Sequence, residues 1–318
     1  MIARTAAVVL ATVAGLAFSS GPPALADSVT DTISVGTGPT GIDIGGDGRA
    51  YVTNSYDDSV SVIDTGVAAV TGTIPVGTFP TGVAVAPRGA RAYVVNYESN
   101  SVSVLDTAAG AVTATIPVGA GPEGVAVTPD GTRVYVSNYD GGTVSVIDTA
   151  TDVVTGTIGV GRLPSEVAVT PDGARLYVAN QDSDSVSVID TATGAVAATV
   201  PVGDAPFGVA ITPDGTRVLV TAWDGGVVSV IATAINTVVT TVPVGRNPFG
   251  VAITPDGTRA YVTNYGDDTV SVIGTLTNTV EATVPVGDSP SEVATSPDGS
   301  RVFVTNYDSD SVSVIGVG

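Results

Sequence analysis

The sequence predicts an all-β fold, a seven-bladed β-propeller, from a repeat, the strand pattern within it and the phase of the chain ends. The glycine of a Val-Gly dipeptide recurs once after 41 residues and then five times after 42. Repeats of about 40–45 residues are typical of propeller blades. An aromatic residue or Leu recurs every 42 residues, at Tyr51, Tyr93, Tyr135, Tyr177, Leu219, Tyr261 and Phe303. Both landmarks count seven units.

Each unit contains four short segments rich in Val, Thr and Ile, as at 124–128, 133–138, 143–148 and 153–160. These residue types favour strands. The Asp-Gly and other Gly-containing turns between them indicate antiparallel hairpins. Four such strands form one propeller blade, and we label them A to D from the central channel outward.

The two ends of the chain are out of phase with the repeat. A lone outer strand is predicted at 29–35, whereas the last unit stops after its third strand at 312–315. We therefore expect the first strand to complete the last blade, which closes the ring and leaves no strand edge open.

Composition excludes several chemistries. The chain has no Cys, no His and no Lys, so it lacks disulfides, thiolate nucleophiles, imidazole metal sites and a Ser-His-Asp triad. The formal charge of −20 makes nucleic acid and anionic membranes unfavourable partners. Cationic ligands, divalent metals and neutral polymers stay compatible with it.

Residues 1–26 have the features of a secretory signal peptide. Arg4 precedes an apolar run at 6–18, and Ala24-Leu25-Ala26 forms an A-x-A cleavage site. The apolar run is too short to span a membrane. We expect a secreted protein, extracellular or associated with the cell envelope, whose single propeller domain covers 27–318 and which is a monomer.

Two segments, Tyr51-Val52-Thr53-Asn54 and Tyr261-Val262-Thr263-Asn264, match the motif that names the YVTN family of propeller repeats. The chain resembles this family, which is similar to archaeal surface-layer proteins and more loosely to seven-bladed lactonases and streptogramin lyases. The resemblance implies a propeller much more strongly than an activity. The streptogramin lyases and many of the lactonases that the chain resembles rely on His or a defined ligand set, and this chain offers no His.

Residues that recur in every unit are interpreted as architecture. An Arg follows each A–B turn, from Arg49 to Arg301, and we expect it to pair with carboxylates such as Asp64, Asp106, Asp148 and Asp190. An Asn that recurs from Asn54 to Asn306 is expected to satisfy backbone groups of the B–C turn.

Candidate site residues are those that break the pattern on the face formed by the D–A and B–C loops, where propeller ligands usually bind. Arg162 and Arg246 lie in D–A loops. Glu123, Glu166 and Glu292 stand at the start of an inner strand, where other units have Thr, Ser, Phe or Gly.

Units four to six add polar and aromatic substitutions near these residues. Phe207 and Phe249 lie in neighbouring units, Trp223 replaces the usual Tyr, and Gln181 replaces it one unit earlier. We expect these four side chains and Glu123 to line a ligand pocket with an aromatic wall.

The Asp-rich loops at 57–58, 182–184, 267–268 and 308–310 suggest Ca²⁺ through oxygen ligands. They lack the spacing of a known calcium loop, so a solvated acidic rim is the favoured interpretation. No metal or other cofactor is otherwise predicted.

Two hypotheses for function stay open. The favoured one is a binding protein that presents a rigid face to an extracellular protein, a glycan or a small molecule. The alternative is a lyase, lactonase or cyclase in which Glu166 or Glu292 acts as base and Arg162 or Arg246 stabilises an oxyanion.

Overall fold

Seven four-stranded antiparallel sheets form the ring in the computed structural model, which describes residues 26–318. The A strands are β2 (Pro39–Ile44), β6 (Pro80–Val85), β10 (Pro122–Val127), β14 (Pro164–Val169), β18 (Pro206–Ile211), β22 (Pro248–Ile253) and β26 (Pro290–Thr295). The B strands are β3 (Arg49–Asn54), β7 (Arg91–Asn96), β11 (Arg133–Asn138), β15 (Arg175–Asn180), β19 (Arg217–Ala222), β23 (Arg259–Asn264) and β27 (Arg301–Asn306). The predicted propeller is confirmed.

The two outer layers complete each blade. The C strands are β4 (Ser59–Asp64), β8 (Ser101–Asp106), β12 (Thr143–Asp148), β16 (Ser185–Asp190), β20 (Val227–Ala232), β24 (Thr269–Gly274) and β28 (Ser311–Gly316). The D strands are β5 (Ala69–Pro75), β9 (Ala111–Pro117), β13 (Val153–Gly159), β17 (Ala195–Pro201), β21 (Thr237–Pro243), β25 (Thr279–Pro285) and β1 (Ser28–Ser34). Among residues 26–318 the helical content is one short 3₁₀ turn, Gln181–Ser183.

The ring closes as the phase of the chain ends predicts. Strand β1 pairs antiparallel with β28, from Ser28 opposite Gly316 to Ser34 opposite Ser311, and gives blade seven its outer strand. Strand β2 of blade one lies beside β26 of blade seven, as the other inner strands lie beside one another. The predicted signal peptide falls almost wholly on residues 1–25, which lie outside the described part.

The core lies between blades. The aromatic of strand B is buried against the next blade; Tyr93, for example, packs in one cluster with Val134 and Ile147 of blade three. Burying a large side chain of this kind stabilises the fold by about 1.5–3 kcal/mol. The same contact recurs around the ring, which explains why an aromatic or Leu repeats every 42 residues.

The recurring arginines hold adjacent blades together, but not through the expected carboxylates. Five of the seven donate to a backbone carbonyl in the C–D turn of the next blade. Nη1 of Arg49, Arg91, Arg133, Arg175 and Arg217 bonds the carbonyls of Thr107, Thr149, Thr191, Thr233 and Thr275 at 2.5–3.0 Å. The predicted pairing with Asp64, Asp106, Asp148 and Asp190 is wrong, because those carboxylates cap amides of their own turns.

The recurring asparagine links the D–A loop to strands B and C rather than serving the B–C turn. Asn180 is fully buried; its Oδ1 accepts from the Gly161 amide at 3.0 Å, and its Nδ2 donates to Ser187 Oγ at 3.0 Å. Blade five has Ala222 instead, and there the Gly203 amide donates to Ser229 Oγ at 3.2 Å.

We expect Asn180→Ala to lower the free energy of unfolding by about 1–3 kcal/mol, because it leaves the half-buried Gly161 amide and the buried Ser187 hydroxyl without partners. Urea denaturation measures the change. Ala222→Asn, which adds the same amide to blade five, is the matched control and is expected to be neutral or stabilising. Equal losses in both variants would show that side-chain size, not hydrogen bonding, sets stability at this position.

Candidate functional site

Each inner strand has an irregular register directly after its first residue, and the three glutamates occupy this stretch. The pairing of β14 with β15 shifts between Pro164 and Val167, so two residues oppose one. Such a bulge redirects side chains relative to a regular strand. Glu166 and Glu292 take the third position of their strands, whereas Glu123 takes the second position of β10.

Glycines in the preceding blades leave room for two of these carboxyl groups. A methyl group at Gly250 would lie 2.6 Å from Oε2 of Glu292, and one at Gly124 would lie 3.1 Å from Oε2 of Glu166. The same glycines allow the next inner strand to approach closely, since the Gly124 methyl would also meet the Ser165 carbonyl at 2.7 Å. Packing of the inner strands therefore creates the space that the carboxyl groups fill.

The three carboxyl groups are buried near one another, and each resists ionisation. Burial, then the charges of Glu166 and Asp140, raises the pKa of Glu123 to about 8. Burial raises the pKa of Glu166 to about 7 against the opposing effect of the Val167 amide. Burial and then the charge of Glu166 raise the pKa of Glu292 well above its usual range, and Glu123 adds to the effect.

Oε1 of Glu292 is shielded from solvent and has no hydrogen-bond partner. The residue as a whole keeps part of its surface accessible, as do Glu123 and Glu166. A buried polar atom of this kind costs about 1–3 kcal/mol when it has no partner. Glu292 therefore carries an uncompensated polar atom at the channel mouth.

A ring of side chains from the B–C loops surrounds the same face. In six blades a single residue directly follows the recurring Asn or Ala222, and five of these six residues are aromatic. In blade one Ser55 takes that position and Tyr56 comes next. We call this set the collar: Tyr56, Tyr97, Tyr139, Gln181, Trp223, Tyr265 and Tyr307. The sequence interpretation missed its tyrosines as site residues, because residues that recur in the blades were assigned to architecture.

Collar residues of adjacent blades contact one another directly. The Tyr307 and Tyr56 rings lie 5.9 Å apart and their hydroxyls are 2.7 Å apart. The Tyr97 and Tyr139 ring centroids are 6.4 Å apart, and the Tyr139 hydroxyl hydrogen-bonds Gln181 Oε1. Contacts between blades therefore join Tyr307 to Tyr56 and join Tyr97, Tyr139 and Gln181 to one another.

The collar lies close to the glutamates. The charge of Glu123 contributes to raising the pKa of both Tyr97 and Tyr139, after burial as the largest cause. The Tyr97 hydroxyl also donates to Asp140 Oδ2 at 3.1 Å. Aromatic rings and buried carboxyl groups therefore share one site.

The predicted aromatic wall is a compact cluster. Phe207 and Phe249 lie 3.8 Å apart between ring centroids at an interplanar angle of 32°. Trp223 meets Phe249 edge-on at 5.8 Å and Tyr265 at 5.3 Å. The second position of β18 and β22 thus supplies Phe where β10 supplies Glu123, so one part of the mouth is apolar and another is acidic.

The two unusual arginines are not brought to the glutamates, which corrects their expected place in the pocket. Nε of Arg162 bonds Asp182 at 2.6 Å and Nε of Arg246 bonds Asp267 at 2.5 Å, with about three-quarters of each arginine side chain exposed. No salt bridge among residues 26–318 joins an arginine to a glutamate. Local pairing within one blade determines the direction of both guanidinium groups.

The Asp-rich loops use their carboxylates to hold D–A loops. Asp58 Oδ1 accepts from the Phe79 amide, and Asp184, Asp268 and Asp310 accept from Ala205, Ser289 and Gly38, each at 2.9 Å. Within the described part of the chain, no group of three His, Cys, Asp or Glu side chains is placed to hold a metal ion. These carboxylates have a structural task in the loops.

Asp43 is a further buried carboxyl group that sequence reasoning missed. It replaces the Ala found in the other inner strands, and it accepts from the Ile44 and Val85 amides at 2.7 Å each. Burial raises its pKa to about 6 against these two hydrogen bonds. The Asp-for-Ala substitution was the available signal.

Hollows of about 540–560 Å³ lie on the opposite face, between the A–B turns of adjacent blades. Arg133 and Thr191 line one, and Arg175 and Thr233 line the next. Because the repeat generates the same hollow at successive junctions, we attribute these hollows to architecture and not to a specific site.

Comparisons with known proteins agree with the fold. No protein-family profile and no curated protein matches the chain. Among solved structures, hydrazine synthase from Kuenenia stuttgartiensis is similar, with a TM-score of 0.81 and 28% identity. The match covers 88% of this chain and 96% of that one. The seven-bladed β-propeller is shown by both the strand topology and this neighbour.

No helix among residues 26–318 combines the length and apolar character needed to cross a membrane.

Proposed function

We propose that this chain is a secreted binding protein whose ligand enters the channel mouth inside the collar. The observation that carries the proposal is that buried carboxyl groups, one of them with an unpartnered oxygen, lie beside a connected set of aromatic rings. Sites for small ligands are concave and largely apolar, with a few convergent polar groups.

The scaffold suits recognition without large rearrangement. Closure by β1 leaves each blade fixed between two neighbours, and the collar contacts run between blades. A preorganised site loses less entropy on binding than a flexible one. The likeness to a hydrazine synthase chain supports the fold on which this site is built, and we do not transfer its activity.

Trp223 is the only Trp in the chain and belongs to the collar, so its fluorescence reports on the proposed site. We expect a ligand found by thermal-shift screening to change Trp223 emission intensity with the same Kd that calorimetry measures. Trp223→Phe is the matched control, since it keeps an aromatic ring at this position and loses the optical signal, so that calorimetry alone reports any change in affinity. Ligands that stabilise the protein but leave Trp223 emission unchanged would place the site elsewhere.

A second candidate is an enzyme of lyase, lactonase or cyclase type, favoured by the value of about 7 for the pKa of Glu166. A carboxyl group poised near neutral pH is suited to act as a general base. Arg162 and Arg246 are not included in this candidate, because they pair with Asp182 and Asp267. Turnover that Glu166→Gln abolishes while ligand binding persists would favour the enzyme over the binding protein.

A further inference from the structure

Among residues 26–318, the carboxyl groups at the channel mouth have no cationic partner. The ten arginines of the described residues lie at A–B turns or in D–A loops, and the chain has neither Lys nor His. Buried ionised carboxylates are normally paired with a cation or hydrogen-bonded. No cation among residues 26–318 therefore compensates the negative charge that Glu123, Glu166 and Glu292 acquire on ionisation.

Glu292 provides the most direct indication of a missing partner. Its Oε1 is enclosed and accepts no hydrogen bond, while Oε2 lies over Gly250. Oε1 has no access to solvent, so a cation would approach the accessible part of the Glu292 side chain and supply the absent positive charge to the carboxylate as a whole.

The collar adds a second, independent preference for positive charge. The face of an aromatic ring carries negative potential and attracts ammonium and guanidinium groups within about 6 Å of its centroid. Trp223 is the most effective ring for this interaction and lies beside Phe249 and Tyr265. Tyr97 and Tyr139 lie near Glu123, whose charge contributes to raising the pKa of both hydroxyl groups.

The arrangement of side chains at this site favours an organic cation over a metal ion. Divalent metals prefer several oxygen ligands converging on one point. Residues 26–318 place no three such side chains around a common centre. Aromatic rings beside carboxylates that do not converge instead suit an organic cation, whose charge is spread over the alkyl groups on its nitrogen.

We propose that the ligand of this site is a small organic cation, an ammonium group with alkyl substituents, that contacts the aromatic collar and is neutralised by Glu123, Glu166 and Glu292. This inference rests on the proposed function, because it names the ligand class of that site. The net charge of −20 also raises the local concentration of such cations around the protein.

Choline and its uncharged carbon isostere, dimethylbutanol, test the proposal on the purified protein by calorimetry and Trp223 fluorescence. We expect choline to bind at least about tenfold more tightly than the isostere, and Glu292→Gln to weaken choline by about tenfold or more. Glu281→Gln, at an exposed glutamate of the outer strand β25, is the matched control and is expected to leave affinity unchanged. A lysine-rich peptide is titrated in parallel. It tests whether the site binds an ammonium group carried by a protein rather than a free small cation.

Binding is also expected to release protons near neutral pH, since burial holds Glu123 and Glu166 partly protonated. Calorimetry in buffers of different ionisation enthalpy measures this release. Asp140, Tyr97 and Tyr139 face the same region, so Asp140→Asn is measured beside the glutamate variants.

Equal affinity for choline and its isostere, or stabilisation by Ca²⁺ alone, would overturn the assignment to an organic cation. If the isostere or a sugar still changes Trp223 emission, the binding site stands and only its ligand class is wrong. If no compound of any class perturbs Trp223, the proposed function fails together with this inference.

Discussion

Asp27→Ala is expected to lower the free energy of unfolding by about 2–4 kcal/mol, because it breaks a buried ion pair at the point where the ring closes. The Asp27 side chain is 4% exposed and accepts from Arg259 Nη1 at 3.0 Å. It also accepts from the Tyr261 hydroxyl at 2.9 Å and from the Gly318 amide at 2.8 Å.

The position of Asp27 in the repeat explains this cluster of contacts. In blade three, Asp152 immediately precedes strand D and pairs with Arg91 of the blade before it at 2.9 Å. Asp27 immediately precedes β1 and pairs in the same way with Arg259 of blade six. Blade seven has no covalent C–D turn, so a residue from the other end of the chain completes the junction.

Asp152→Ala is the matched control, and we expect it to cost about 1 kcal/mol or less, because the pair is more exposed and its turn is covalently continuous. Urea denaturation gives both free energies, and limited proteolysis tests whether β1 detaches first in Asp27→Ala. Equal costs for the two variants would show that Asp27 has no special part in closure.

The fold was predictable from the sequence because a propeller repeats one local solution. The constant spacing from Tyr51 to Phe303 gave the blade number, and the unmatched ends gave the pairing of β1 with β28. The hydrogen-bond partners of the recurring side chains were harder to predict from the sequence. Arg91 reaches the Thr149 carbonyl in the next blade, a contact that depends on how blades stack and not on spacing within one blade.

The candidate site was predictable only in part. Glu123, Glu166 and Glu292 were visible because each departs from the repeat, and the structure places them near one another. Most tyrosines of the collar were missed because they recur in the repeat, and recurring residues were interpreted as architecture. A ring of side chains around a channel is itself formed by a recurring position. The spacing of Arg162 in the sequence did not predict that its side chain is exposed, because the ion pair with Asp182 of the same blade sets its orientation.

The triple substitution of Glu123, Glu166 and Glu292 by Gln is expected to stabilise the protein at pH 8 by about 2–4 kcal/mol, or about 5–10 °C in Tm. A raised pKa in the folded state means that the folded protein holds protons that the unfolded chain has released. The free energy of unfolding of the unsubstituted protein therefore falls as pH rises from about 4.5 to about 8.

Glutamine mimics the protonated carboxyl group, so the variant no longer loses that stability with rising pH. We expect the two proteins to have similar stability near pH 4.5 and to diverge towards pH 8. Asp43, whose pKa is raised to about 6, titrates in the same window in both proteins and cancels in the comparison. Thermal denaturation at several pH values measures the divergence.

Choline is expected to reverse the order of the two proteins at pH 8, because a cation that binds only the folded state with ionised glutamates stabilises the unsubstituted chain alone. Glu281→Gln is again the control and is expected to follow the unsubstituted protein at every pH. A constant difference between the proteins from pH 4.5 to pH 8 would mean that the glutamines act through packing. The buried carboxyl groups would then not be the source of the pH dependence.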